Sequence, residues 1–156
     1  MKRHWSILLF ILLTKLSAQY DYSLENLNPS SDTYGESIGV SYYSNHVTLH
    51  YFGHFTWGTC TNRFGELNQI YTNLKEQNYS VELIGVSAES QIDYVENWTE
   101  NHDSPVCVDD DAYTTWNSWD ASQRDLFVLD VDGTILIRFS DKIKGVIRAS
   151  QIATGE

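Results

Sequence analysis

Apolar and polar positions along this chain switch between a period of two and a period of three to four, and the switches mark its elements. Ile38–Tyr43 alternates weakly and predicts a short strand; His46–Gly53, rich in β-branched and aromatic residues, predicts a firmer one. From Cys60 to Gln77 the apolar residues Phe64, Leu67, Ile70, Tyr71 and Leu74 recur at threes and fours, the stripe of a helix ending at Gln77-Asn78. Val81–Val86 is an apolar run of strand length, suited to a buried parallel strand. Ser87–Asn101 reads as a second helix, capped by Ser87 or Ser90, with Ile92, Val95 and Trp98 as its buried stripe. Pro105–Val108 is a short extended piece, followed by Asp109-Asp110-Asp111 and a tryptophan-bearing segment to Trp119. Leu126–Asp130 and Thr134–Phe139 flank Asp132-Gly133, a strong hairpin signal, and Ile143–Ile152 is amphipathic enough to predict a terminal helix on the sheet.

This order, strand–helix–strand–helix, then hairpin and helix, implies an α/β fold: a mixed sheet flanked by helices on both faces. Parallel units need right-handed crossovers, and a hairpin adds antiparallel strands at one side. A thioredoxin-like fold requires this pattern, and other α/β folds share it. Three segments follow: a leader over residues 1–18, an irregular lead-in over 19–37 with Asn28-Pro29-Ser30-Ser31, and the domain over 38–156. The leader begins with Lys2 and Arg3, continues through the apolar run Trp5–Leu13, and ends at the small residues Ser17-Ala18. That is the make-up of a secretory signal peptide, and the run is shorter than the ~20 residues of a spanning helix. Cleavage near Ala18 and an extracellular location are expected.

The formal charge is −11, and removing the leader takes it to about −14, since three bases and no acids go with it. So acidic a surface repels phosphate backbones and anionic membranes, so neither nucleic acid nor, after signal cleavage, a membrane is an expected partner. Asn78-Tyr79-Ser80 and Asn97-Trp98-Thr99 are N-glycosylation sequons, in keeping with secretion. Cys60 and Cys107 are the only cysteines, too few for a disulfide scaffold, and leave either one bridge or two free thiols.

Chemistry in a strand–helix–strand unit gathers beyond the carboxyl ends of the parallel strands. Here the strand His46–Gly53 leaves into His54-Phe55-Thr56-Trp57-Gly58-Thr59-Cys60, where the long helix begins. A cysteine in a first helical turn faces free N–H groups and the positive end of the helix dipole, which favours its thiolate. Cys60 is thus a candidate nucleophile or resolving thiol reachable by solvent, against the alternative of an inert buried cysteine. A dithiol turn wants Cys-x-x-Cys, and the position three before Cys60 holds Trp57, so no disulfide closes within the turn. If the strand of Cys107 ends on the same edge of the sheet, a Cys60–Cys107 bridge is geometrically conceivable.

Three passages between Val47 and about Phe139 give the chain a family likeness: VTLHYFGHFTWGTC running into ELNQIYTNLKEQNYS, then SPVCVDDDAYTTWN, then SQRDLFVLDVDGTILIRF. In order and spacing they resemble the N-terminal thioredoxin-like domain of the selenoprotein P family. In that family the turn reads selenocysteine-x-x-Cys, so the resemblance sets Cys60 on the cysteine and Trp57 on the selenocysteine. Selenocysteine is encoded by UGA, which a non-standard code reads as tryptophan, so Trp57 is also a candidate mis-decoded selenocysteine. The resemblance implies redox chemistry or selenium handling outside the cell, with small thiols, disulfides or hydroperoxides as substrates and no cofactor beyond selenium at position 57. With a genuine Trp57 the other class applies: a non-catalytic, secreted binding module whose aromatic surface serves a protein partner. Thioredoxin-like redox domains commonly place a proline before the strand facing the turn; here that place holds Gln123-Arg124-Asp125.

Other motifs carry less. Asp130-Val131-Asp132-Gly133-Thr134 resembles the signature of haloacid dehalogenase-type phosphatases, but 22 residues after Thr134 are too few for the rest of such a site, and a hairpin is expected. Asp109-Asp110-Asp111 lacks the spacing of a calcium loop and reads as a helix start. His46, His50 and His54 share a strand face by even spacing, without a cysteine or carboxylate at ligand spacing, and no metal is expected.

Overall fold

The computed structural model describes residues 20–140. The expected leader, 1–18, and the expected helix at 143–152 lie outside the described residues. Two short strands, β1 (Leu24–Glu25) and β2 (Ser37–Ile38), pair antiparallel. The main sheet contains β3 (Val47–Phe52), β4 (Val81–Ala88), β5 (Val106–Asp109), β6 (Leu126–Leu129) and β7 (Ile135–Phe139), in the spatial order β5-β4-β3-β6-β7. β3, β4 and β5 run parallel, while β6 and β7 are antiparallel, so the expected mixed sheet forms. Its helices are α1 (Gly58–Glu76), α2 (Glu96–Thr99) and α3 (Thr114–Ser118).

Strand alternation sorts the core into two layers. Leu49, Tyr51, Leu83, Val106, Leu126 and Val128 meet α1 and α2 through Cys60, Phe64, Leu67, Tyr71, Leu74 and Trp98. Phe52, Ile84, Val86, Cys107, Phe127 and Leu129 face the other way, under Ile38, Val40, Tyr43, Trp116 and Trp119. The central strand β4 is buried along its length, as its continuous apolar run predicts.

Several expected boundaries move. The strand expected over 38–43 contracts to Ser37–Ile38, because Val40 and Tyr43 leave the pairing and lie on the second face instead. The expected helix over 87–101 begins later and breaks in two. Ser87 and Ala88 stay in β4, paired to Val108 and Asp109, so neither serine opens the segment as a cap. A 3-10 helix over Glu89–Tyr94 then precedes α2, and of the expected stripe Trp98 is buried and Val95 packs at the core edge, while Ile92 is exposed. The lead-in is more ordered than its polar sequence suggests. Asn26 Oδ1 accepts from the N–H groups of Asn28 (3.0 Å) and Val106 (3.1 Å), Leu27 N–H donates to the Val106 carbonyl (2.7 Å), and Asn28 Nδ2 donates to the carbonyls of His102 and Ser104. These two buried asparagines fasten the lead-in to the free edge of β5, which otherwise would present unpaired backbone groups.

The hairpin expected at Asp132-Gly133 is present: Gly133 takes φ 78°, and Asp130 accepts from the N–H groups of Asp132 and Thr134. Asp109 accepts from the N–H groups of Thr115 and Trp116, and Asp110 from that of Thr114, so these two acids start α3.

Candidate functional site

The strand–turn–helix handover lies at the carboxyl ends of β3 and β4, where the parallel topology places reactive groups. Trp57 is the N-cap of α1 in extended geometry (φ −97°, ψ 110°), and its carbonyl accepts from the N–H groups of Cys60 (2.7 Å) and Thr61 (3.1 Å). The indole is 51% exposed, whereas Cys60, one turn below, is 0% exposed among apolar side chains. This corrects the expectation of a solvent-reachable Cys60. The residue does sit in the first turn of the helix, but its side chain points at the sheet rather than at the rim, behind Gly53 and beside Tyr51, whose hydroxyl donates to the Cys60 carbonyl. Burial also drives the Tyr51 hydroxyl strongly toward its neutral form.

The Cys60–Cys107 bridge is corrected as well. Both thiols are free and buried. Cys107 pairs in register with Val86 and points to the second face, while Cys60 belongs to the first, so the sheet separates them. The Cys107 thiol is held protonated by burial and by the carboxylate of Glu25.

Two loops close over the turn. Gln123 Nε2 donates to Cys60 Sγ at 3.3 Å, from the loop where a proline was looked for. That loop is held by its backbone: Arg124 N–H donates to the Phe52 carbonyl, Phe52 N–H donates to the Asp125 carbonyl, and Arg124 itself takes φ 70°. On the other side, Gln91 accepts from Thr56 N–H and from its hydroxyl (2.7 Å), and Asn97 Nδ2 donates to the Phe55 carbonyl (3.0 Å). Gln91, Asn97 and Gln123 carry no recognisable motif; only the position of Gln123 ahead of β6 marked it beforehand. Asn97 and Asn78 are exposed, the latter at a left-handed corner (φ 64°) after α1.

An aromatic row runs from the turn onto α3. The His54 ring lies 5.5 Å from Trp57 and 5.5 Å from Trp116, against which it stacks, and Trp116 meets Tyr113 edge-on at 6.1 Å. Burial holds His54 below the usual imidazole range, and its Nδ1 has no hydrogen-bond partner. His50 is taken up elsewhere, fully buried between Tyr22 (Oη–Nδ1 2.7 Å) and Thr48 (2.9 Å to Nε2), while His46 is exposed. Among the described residues no cluster of three metal-ligating side chains occurs.

No family model and no curated relative matches the sequence. Solved structures do match the fold. The chain is similar to a thiol-disulfide oxidoreductase from Bacteroides fragilis (TM-score 0.65, 17% identity, 90% of this chain and 100% of that one). It is similar to StoA from Bacillus subtilis (TM-score 0.62, 16% identity, 86% and 94%). It is also similar to a secreted Mycobacterium tuberculosis disulfide oxidoreductase homologous to E. coli DsbE (TM-score 0.61, 12% identity, 87% and 94%). At such identities the likeness is one of architecture, and it establishes that this chain has the thioredoxin-like fold that these thiol-disulfide oxidoreductases share.

Proposed function

We propose that this chain is a secreted, selenoprotein P-like thioredoxin-fold protein that, with tryptophan at position 57, uses its former redox turn as a docking surface rather than as a dithiol. The observation that carries this reading is the pairing of a half-exposed Trp57 with a fully buried Cys60 on a face that holds no second cysteine. Exchange chemistry needs a thiolate that a partner can reach. The basic, apolar and small-residue sections of positions 1–18 support secretion, and the acidic body supports a soluble extracellular role.

The test is a disulfide-reduction assay coupled to a small dithiol. The native protein and Cys60→Ser should be equally inactive, while Trp57→Cys, which restores Cys-x-x-Cys, should gain activity. A native rate well above that of Cys60→Ser would overturn the reading.

A second reading is favoured by the exposure of position 57 at the helix start, three residues before a buried cysteine. If the natural residue there is selenocysteine, its selenolate attacks a hydroperoxide, releasing the alcohol and leaving a selenenic acid. The Cys60 thiol then condenses with it, expelling water and forming a selenenyl sulfide, which two small-molecule thiols reduce. The mass of the peptide spanning residues 54–63 from the native source decides between indole and selenol.

A further inference from the structure

The described body is far more acidic than the whole chain: between residues 20 and 140 only Arg63, Lys75, Arg124 and Arg138 are basic, against nineteen acids. Lys75 is paired with Glu82, and Arg138 with Asp120 and Asp125. Near the turn the acids fall on both sides of the exposed aromatics. The segment stitched to the turn by Gln91 and Asn97 carries Glu89, Asp93 and Glu96, together with the exposed side chains of Ile92 and Tyr94. On the far side, the row Trp57–His54–Trp116–Tyr113 ends at the exposed Asp110 and Asp111, with Asp110 bonded to Thr114 beside Tyr113. Arg63 and Arg124 stand on the Cys60 side of the turn, near the Tyr51 hydroxyl.

An exposed indole next to a histidine with an unpartnered ring nitrogen, bounded by carboxylates, is suited to one kind of guest. The face of an indole attracts guanidinium and ammonium groups, carboxylates on either side pair with further ones, and His54 Nδ1 is available to a backbone or side-chain hydrogen bond. Exposed aromatic residues framed by polar ones mark interaction surfaces. We propose that this end of the sheet docks a basic polypeptide segment, one arginine or lysine lying over Trp57 and others meeting Asp93 and Glu96 on one side and Asp110 and Asp111 on the other. The inference rests on the reading of the turn as a docking surface and adds the chemistry of the partner.

The experiment is isothermal calorimetry of the native protein with a hexa-arginine peptide, with hexa-glutamate and a glycine–serine hexapeptide as controls, at low and at physiological salt. Hexa-arginine should bind and the controls should not, with affinity falling as salt rises. Trp57→Ala should weaken binding about tenfold and the pair Asp110→Asn/Asp111→Asn severalfold, the range of desolvated cation–π and charge contacts. Asp132→Asn, in the hairpin at the other end of β3, should bind as the native protein does. Absence of binding, equal binding of the neutral peptide, or equal weakening by Asp132→Asn with no effect of Trp57→Ala would overturn the proposal. The thiol assays above report on the turn's redox capacity separately, so failure here leaves that reading standing.

Discussion

Gln123 and Cys60 lie 63 residues apart in sequence, yet the Gln123 amide donates to the Cys60 sulfur at 3.3 Å. The contact closes the loop before β6 over the start of α1 and makes the sulfur part of the core. A thiol so enclosed behaves as a small apolar side chain with a weak acceptor. The predictions below follow from this packing and from the charges around it.

Gly85 sits in β4 beneath the stacked rings of Phe64 and Trp98, which lie 4.3 Å apart between centroids. A Cβ added there would meet Phe64 and Trp98 ring atoms at 2.8–2.9 Å. Gly85→Ala should therefore destabilise the fold by about 1–3 kcal/mol, the usual cost of overpacking, read as a lower urea midpoint.

Arg138 bridges the carbonyl of Asp120 and the carboxylate of Asp125, and its guanidinium lies over the Phe127 ring. Asp125 is fully buried. Arg138→Ala leaves that carboxylate without its counter-charge and should cost about 3 kcal/mol. Asp125→Asn should cost less, because a neutral amide tolerates the same site. Chemical unfolding of the two variants checks the order, and an equal or reversed order would refute it.

Burial lowers His50 to about 3, so in the fold it stays neutral while in the unfolded chain it titrates near 6.5. The unfolded state then binds the extra proton between these values, and stability falls as the medium is acidified from about pH 6.5 toward 3, by up to about 1.4 kcal/mol per pH unit. Above pH 6.5 this contribution is complete. The partly buried His54 and His102 are shifted in the same direction. His50→Gln should flatten the dependence of the urea midpoint on pH between 6.5 and 4, whatever its effect on stability at neutral pH; an unchanged slope would remove His50 as the source.

The two sequons stand in different surroundings. Asn78 is exposed at a corner, while the Asn97 amide donates to Phe55 and Thr99 of its triplet is buried. Expressed through a secretory pathway, the chain should carry its glycan at Asn78 first. Asn78→Gln should then abolish most of the mass lost on enzymatic deglycosylation, and Asn97→Gln little of it.

The architecture was legible because its signals are local. β3, α1, β4 and the β6–β7 hairpin follow from period, run length and Asp-Gly chemistry, and the order of elements leaves few topologies. What escaped depends on contacts remote in sequence. The polar lead-in gave no strand pattern, since Asn26 and Asn28 order it through the β5 edge some 80 residues away. The segment after β4 had a helical period, but pairing with β5 carried the strand through Ala88 and left too few residues for one regular helix. At the site, spacing located Trp57 and Cys60 correctly at the helix start. It did not reveal which way the sulfur points, because that is set by Gly53 beneath it and Gln123 above it. Nor did it show that Cys107 faces away, which one step of strand register decides.

The most direct measurement of the central claim is thiol titration of the native protein with an aromatic disulfide reagent, before and after unfolding in guanidinium. The account predicts essentially no fast-reacting thiol in the folded state and two after unfolding. One equivalent reacting rapidly in the folded protein, and lost in Cys60→Ser, would show that the sulfur at the turn is open to partners and would contradict it.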